Sequence, residues 1–249
     1  MNKYNECYRK IYYYPAMKKM FLLAVIVCSL ARAQDFGYEY AMLTEYRSLG
    51  VSYNIQKFSP RSTNLLPDSQ RTAFSTALPF IEFRQNSGRL AVGYQTFTDG
   101  NGKKRESFSV YGESQNDFPL GVSRSSKASW FIPVVVGANY LRAEAPTNTV
   151  EDFDVGSFGI GTGIKYKHFE RSFGIQVFGT GSLYYSSEGF STAYGSQISV
   201  SGEVQLILPD LLYEGLVAGY RAEFQQWNMN NNAHDYQRMY HGAFIGILF

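Results

Sequence analysis

Residues of alternating character run through most of this chain, and three consecutive stretches show it best. Phe158, Ile160, Thr162, Ile164 and Tyr166 alternate with Gly159, Gly161, Gly163 and Lys165. Phe173, Ile175, Val177, Gly179, Gly181, Leu183 and Tyr185 alternate with Gly174, Gln176, Phe178, Thr180, Ser182 and Tyr184. Ile198, Val200, Gly202, Val204, Leu206 and Leu208 are set against Ser199, Ser201, Glu203, Gln205 and Ile207. Apolar or aromatic side chains fill 14 of 18 positions on one face and 3 of 15 on the other. A period of two is the mark of strands with one apolar face. No stretch after Gln34 has a comparable helical period. Similar runs predict ten strands, over 47–58, 75–85, 89–98, 104–114, 128–142, 156–168, 172–186, 193–208, 212–227 and 236–249. An eight-stranded count, with a weak strand demoted, is the alternative.

The connections alternate too. Asn86-Ser87-Gly88, the turn near Phe169-Glu170-Arg171 and Leu208-Pro209-Asp210 are short. Ser59 to Phe74, Ala143 to Val155, Ser187 to Thr192 and the Asn-rich Asn228 to Asp235 are longer. Short turns on one side and longer loops on the other are the habit of up-and-down membrane barrels. Asp99 to Lys103 is short for its side, and Gln115 to Lys127 long for its own.

Alternation alone does not say which face is inside. A soluble sandwich packs its apolar face inward; a membrane barrel turns it to lipid. The polar face settles the expectation. A solvated exterior is dense in Lys, Glu and Asp, whereas here that face is mostly Gly, Ser, Thr and Gln. Charged residues are only 18% of the chain, below the roughly 25% of soluble domains. Aromatics gather near strand ends (Trp130-Phe131, Tyr140, Tyr166, Tyr184-Tyr185, Tyr220, Trp227 and Tyr240), where interfacial girdles would lie. The sequence therefore predicts an all-β fold, a transmembrane antiparallel up-and-down barrel.

The first 33 residues read differently. Met17-Lys18-Lys19 precedes an apolar run from Met20 through Leu30, and Ala31-Arg32-Ala33 fits a signal-peptidase site, so cleavage is expected between Ala33 and Gln34. The run is shorter than the about 20 residues a spanning helix needs. Residues 1–16 are unlike a normal signal start, and translation is expected to begin at Met17. That divides the chain into an upstream extension (1–16), a signal peptide (17–33) and a barrel (34–249). Six of the 23 basic residues and both cysteines, Cys7 and Cys28, lie in the first 33 positions, leaving a mature net charge of −3. Such a chain offers no thiol nucleophile or thiolate metal ligand. A near-neutral charge also argues against a nucleic-acid partner.

With this facing, the inward charges are Glu82, Arg84, Glu113, Lys165, Lys167, Glu203, Arg221, Glu223 and Arg238. Four acids stand against five bases, which points to a paired lumen plug and not to a selectivity ring of one sign. Catalysis finds little footing. Of the three histidines, His168 sits at a short-turn strand end, His241 on the apolar face of the last strand, and His234 beside Asp235 in the Asn-rich loop. Glu151-Asp152-Phe153-Asp154 with Glu144 is an acidic loop without EF-hand spacing. No cofactor or metal is expected. Lys103-Lys104-Arg105 forms a charged hairpin tip.

An export signal, Gly- and Tyr-rich amphipathic strands and a C-terminal Phe249 resemble the small outer-membrane β-barrel proteins of Gram-negative bacteria, over nearly all of Arg47 to Phe249. The resemblance implies outer-membrane lipid and lipopolysaccharide as surroundings. It also implies a last strand, with Phe249, Ile247 and Ile245, read by the barrel-assembly machinery. Three functions are then expected in outline: a structural or surface-interaction barrel, a small passive channel, or an envelope hydrolase dependent on His234.

Overall fold

A computed structural model describes residues 46–61, 73–99, 102–120, 128–145, 152–170, 172–188, 193–211, 215–230 and 235–249. The expected signal segment, with Ala33 and Gln34, lies outside them. Every described element is a strand: β1 (Arg47–Pro60), β2 (Phe74–Gln85), β3 (Gly88–Thr98), β4 (Lys104–Pro119), β5 (Ala128–Ala143), β6 (Phe153–Phe169), β7 (Gly174–Glu188), β8 (Tyr194–Leu208), β9 (Leu216–Met229) and β10 (Tyr236–Leu248). Each strand pairs antiparallel with its neighbours in sequence, and β10 returns to β1, from Ser48↔Leu248 to Pro60↔Tyr236. The barrel is closed with ten strands, which excludes the eight-stranded alternative.

Closure leaves the sheet with no free edge. A strand left unpaired in hydrocarbon would strand its backbone groups, and pairing the last strand with the first removes both edges. The Phe249 amide continues the ladder by donating to the Arg47 carbonyl at 3.0 Å. Nine of the ten strands, with 12 to 17 residues, exceed the 9–11 that a tilted crossing requires, so most of the wall stands beyond the apolar layer.

The apolar face points outward. Leu49, Val51, Tyr53 and Ile55 on β1, Ile160 and Ile164 on β6, Leu183 on β7 and Ile245 and Ile247 on β10 are all exposed, Ile160 and Leu183 by 66%. On the same strands Ser48, Ser52, Asn54, Gln56, Lys165, Gln176 and Arg238 are buried. A water-soluble fold does the reverse. This is the inversion that hydrocarbon solvent imposes: apolar side chains out, with every backbone pair made within the wall.

Three boundaries differ from the sequence expectation by three residues or more, β9 among them, beginning at Leu216 where 212 is expected. β4 runs five residues beyond 114, to Pro119, and β6 begins at Phe153. The apolar–polar contrast is weak across Ser114-Gln115-Asn116-Asp117, although their ladder to β5 is complete. The extension shortens the connection that is overlong for its side to 120–127. One end of the barrel thus carries both strand termini of the closing pair and the connections 86–87, 120–127, 170–173 and 209–215. The other, the loop end, carries 61–73, 99–103, 144–152, 189–193 and 230–235.

Candidate functional site in the barrel lumen

Inward-facing side chains occupy the barrel in three levels. The middle level holds charge. Arg84 on β2 pairs with Glu82 on its own strand at 2.7 Å and with Glu203 on β8. Arg221 on β9 reaches Glu203 at 3.0 Å, Glu223 at 2.8 Å and Glu113 on β4 at 3.1 Å. Buried ions survive only when their remaining lone pairs and protons are also met, and here they are. Ser52 donates to Glu82 at 2.5 Å, Gln205 to Glu203 at 2.5 Å, Ser199 and Gln225 to Glu223 at 2.8 Å each, and the Tyr240 hydroxyl to Glu223 at 2.6 Å. Tyr46, just before β1, donates to Gln205 at 2.5 Å.

Lys165 and Lys167 on β6 stand apart from that network. Both meet Asp117 on β4, at 3.0 and 2.7 Å, and Lys165 also donates to the Asn86 carbonyl in the β2–β3 turn. Arg238 has no carboxylate within ion-pair distance among the described residues. Its Nε and Nη2 donate to the Gln56 amide oxygen at 2.8 and 2.6 Å, and its guanidinium carbon lies 4.8 and 5.4 Å from the Tyr240 and Tyr111 ring centres. Those faces supply cation–π attraction where an anion is missing.

Several inward charges escape the sequence reading, Arg105 and Glu188 toward the loop end among them. Arg89 on β3 donates to the Tyr240 hydroxyl at 3.3 Å, and its signal is its phase: it alternates with outward Leu90 and Val92. Asp117 is missed because the fourth run is read as ending at 114.

The loop-end level is aromatic. Phe58, Phe74, Phe97, Phe153, Trp227 and Tyr236 form one buried cluster with Leu141, Val155 and Met229. Phe58 stacks on Tyr236 at 4.7 Å and meets Phe153 edge-on at 5.0 Å, while Trp227 meets Phe153 at 5.3 Å. The opposite end carries a smaller cluster of Tyr46, Ile207, Val217, Phe244 and Leu248. Trp227 and Tyr240, expected in an interfacial girdle, are therefore lumen residues exposed by 0% and 2%. Both lie in phase with Arg221 and Arg238, and phase outranks position along the strand. Trp130, exposed by 51% and packed against Tyr166 at 4.9 Å, keeps its place on the lipid face.

Bulky lumen rings need room, and glycine on the neighbouring strand provides it. Phe80 lies across Gly93 and Phe244 across Gly219, so close that a β-carbon on either glycine would sit 2.5 Å from the ring. Tyr184 on β7 reaches past β6 to Gly137 on β5, where a β-carbon would sit 2.7 Å from its hydroxyl.

The remaining candidates are dispersed. His241 faces outward, its Nδ1 2.6 Å from the Tyr220 hydroxyl, and His168 lies 3.6 Å from Glu170 at the strand end. His234, on which a hydrolase reading turns, lies outside the described residues, as does Glu151. Asp152 accepts from Arg142 at 3.1 Å and from the Ala145 amide at 2.9 Å. Among the described residues no group of three or more His, Cys, Asp or Glu is placed to hold a metal ion. In the 103–105 hairpin tip, Arg105 turns inward to Asp99 at 3.1 Å, leaving Lys103 and Lys104 exposed. Ile245, Ile247 and Phe249 line one outward edge, with Phe249 beside Phe83 at 6.3 Å.

A closed antiparallel wall, an apolar exterior and a polar, ion-paired interior define a transmembrane β-barrel. No family model and no curated protein matches the chain. Among solved structures it is similar to Ail, the attachment invasion locus protein of Yersinia pestis, in complex with the heparin analogue sucrose octasulfate. That likeness has 9% identity and a TM-score of 0.30, and covers 83% of this chain and 100% of that one. It is also similar to a Pseudomonas aeruginosa FadL homologue (6%, TM-score 0.25, covering 82% and 90%). A loop-deletion mutant of OmpT, an outer membrane protein of Vibrio cholerae, is a further neighbour (7%, TM-score 0.19, covering 82% and 98%). These neighbours are outer-membrane β-barrel proteins. At such scores the membrane reading rests on this chain's own side-chain facing.

Proposed function

We propose that this chain is an integral outer-membrane β-barrel protein with a structural or surface-interaction role, its lumen closed to solutes along the axis. One observation carries the closed lumen. Phe58–Phe153 joins β1 to β6 and Arg221–Glu113 joins β9 to β4, and in a ring of ten each pair stands on opposite walls. Side chains that meet across the full diameter at two heights support a lumen without a continuous water path, as suits a barrel only slightly wider than the eight-stranded ones that side chains fill.

With longer loops outside and shorter turns inside, the loop end faces the exterior. Work at the surface then falls to the segments around 61–73 and 144–152 and to the exposed Lys103 and Lys104, whose charge suits lipopolysaccharide phosphates. At the other end the outward edge of Ile245, Ile247 and Phe249 is the part offered to the barrel-assembly machinery. Two measurements on one preparation test the proposal. Folded protein in detergent should migrate differently on a gel before and after boiling, and in planar bilayers it should give no large, steady conductance. A stable open channel would contradict the closed lumen.

A further inference from the structure

The barrel wall is not zipped evenly. Nine of the ten strand ladders run for eleven to fifteen residue pairs, but the β2–β3 ladder has six, from Phe80↔Gly93 to Gln85↔Gly88. Both strands continue toward the loop end. There β2 is held by β1, up to Phe58↔Phe74, and β3 by β4, up to Thr98↔Lys104. The unzipped stretch starts at Pro79, which has no N–H to give. The ladder to β1 passes through Pro79↔Tyr53 unbroken, so the missing donor falls on the β3 side.

This gap opens onto the lipid face. Tyr53, Ile81, Val92 and Tyr94, exposed side chains of the apolar band, surround it. Backbone groups of 94–98 that face β2 have no ladder partner there, a costly condition in hydrocarbon unless something fills the seam.

Behind the gap the lumen changes character. Leu78, Phe80, Ala91 and Tyr111 make a buried apolar patch on this wall. Phe74 and Phe97 stack across the seam at 4.1 Å nearer the loop end. Gln95, inside the unzipped stretch, is 6% exposed, and neither its Nε2 nor its Oε1 has a hydrogen-bond partner among the described residues. The buried hydroxyls of Ser107 and Ser109, opposite Gln95 and Gly93 on β4, are equally unpartnered. An apolar lining with a few convergent, unused polar groups is what a small-molecule site presents.

We propose that the β2–β3 seam is a lateral port that takes the acyl chain of a single-chain membrane amphiphile, with its polar group on Gln95, Ser107 and Ser109. The hydrocarbon lies against Leu78 and Phe80, and the Phe74–Phe97 stack closes the port toward the loop end. Lipid is the occupant because the gap is continuous with the lipid-facing band. The port rests on the membrane-spanning reading and adds to it: the lumen is shut along its axis and open through its side.

The test uses a palmitic acid bearing a photoreactive diazirine, in phosphatidylcholine vesicles holding protein whose insertion is first verified by heat-modifiable gel mobility. Failure to insert would overturn the membrane reading, whereas the labelling pattern of inserted protein bears on the port alone. Illumination should label inward Leu78 and Gln95, beyond the outward labelling shared by every strand, and should leave the inward residues of the fully paired β7–β8 seam unlabelled. A77C/T96C joins outward positions facing each other where the register continues. When oxidised it should abolish the inward label, and reduction should restore it. Pro79→Val, which returns the missing N–H, should lower the inward label without any cross-link. Label confined to outward side chains, or inward label indifferent to both variants, would overturn the port.

Discussion

Arg221 on β9 touches Glu113 on β4 at 3.1 Å, between strands on opposite walls of the ring. The same guanidinium holds Glu203 and Glu223, so one cation ties three carboxylates from three strands into the barrel axis. Such a group is more than a surface ion pair. Glu203 keeps Arg84, but removal of Arg221 leaves the buried Glu223 and the part-buried Glu113 with no other ion-pair partner among the described residues.

Arg221→Gln should therefore lower stability by about 3–5 kcal/mol, the usual cost of stranding one side of a buried pair. Arg238→Gln should cost clearly less, because Arg238 leaves behind the neutral Gln56 and two ring faces. Urea unfolding of both variants in phospholipid vesicles, followed by tryptophan emission, checks the ranking; equal losses would deny the network its special role.

Asp117 serves two lysines at once. Asp117→Asn leaves Lys165 and Lys167 beside each other, exposed by only 1% and 7%, and should destabilise the barrel. Adding Lys165→Met should recover part of that loss, giving a coupling on the order of 1–3 kcal/mol in a double-mutant cycle. Simple additivity would show that water already screens these charges.

Glycines give a comparison with its own control. A β-carbon at Gly219 would press on the Val204 carbonyl oxygen and meet the Phe244 ring at 2.5 Å, while one at Gly202 would find nothing within 4 Å. Gly219→Ala should cost about 1–3 kcal/mol from overpacking, and Gly202→Ala should stay within about 0.5 kcal/mol of the parent. Thermal or urea midpoints of the two proteins decide it.

Much of this architecture is legible from alternation. Strand positions and the inward direction of Glu82, Arg84, Glu203, Arg221, Glu223 and Arg238 follow from a period of two, because a one-residue error would flip a whole strand. The lumen aromatics are harder. A tryptophan near a strand end suits a girdle and a plug alike, and only the phase shared with Gln225 places Trp227 inside. Which strands face each other across the lumen depends on closure, a global property, so no local pattern announces Arg221–Glu113 or Phe58–Phe153. Pro79 is visible in the sequence, but its consequence appears only with the ladders on both its sides.

The inverted facing, with greasy side chains against lipid and the second face filling the axis, is tested by the two tryptophans. Trp130 is half exposed on the outer wall and Trp227 is fully buried in the lumen. In vesicles containing brominated phospholipids, a W227F variant, which keeps Trp130, should lose most of its fluorescence. A W130F variant, which keeps Trp227, should lose little. Strong quenching of Trp227 with Trp130 spared would mean that the wall faces the other way, contradicting a membrane-spanning barrel of this sense.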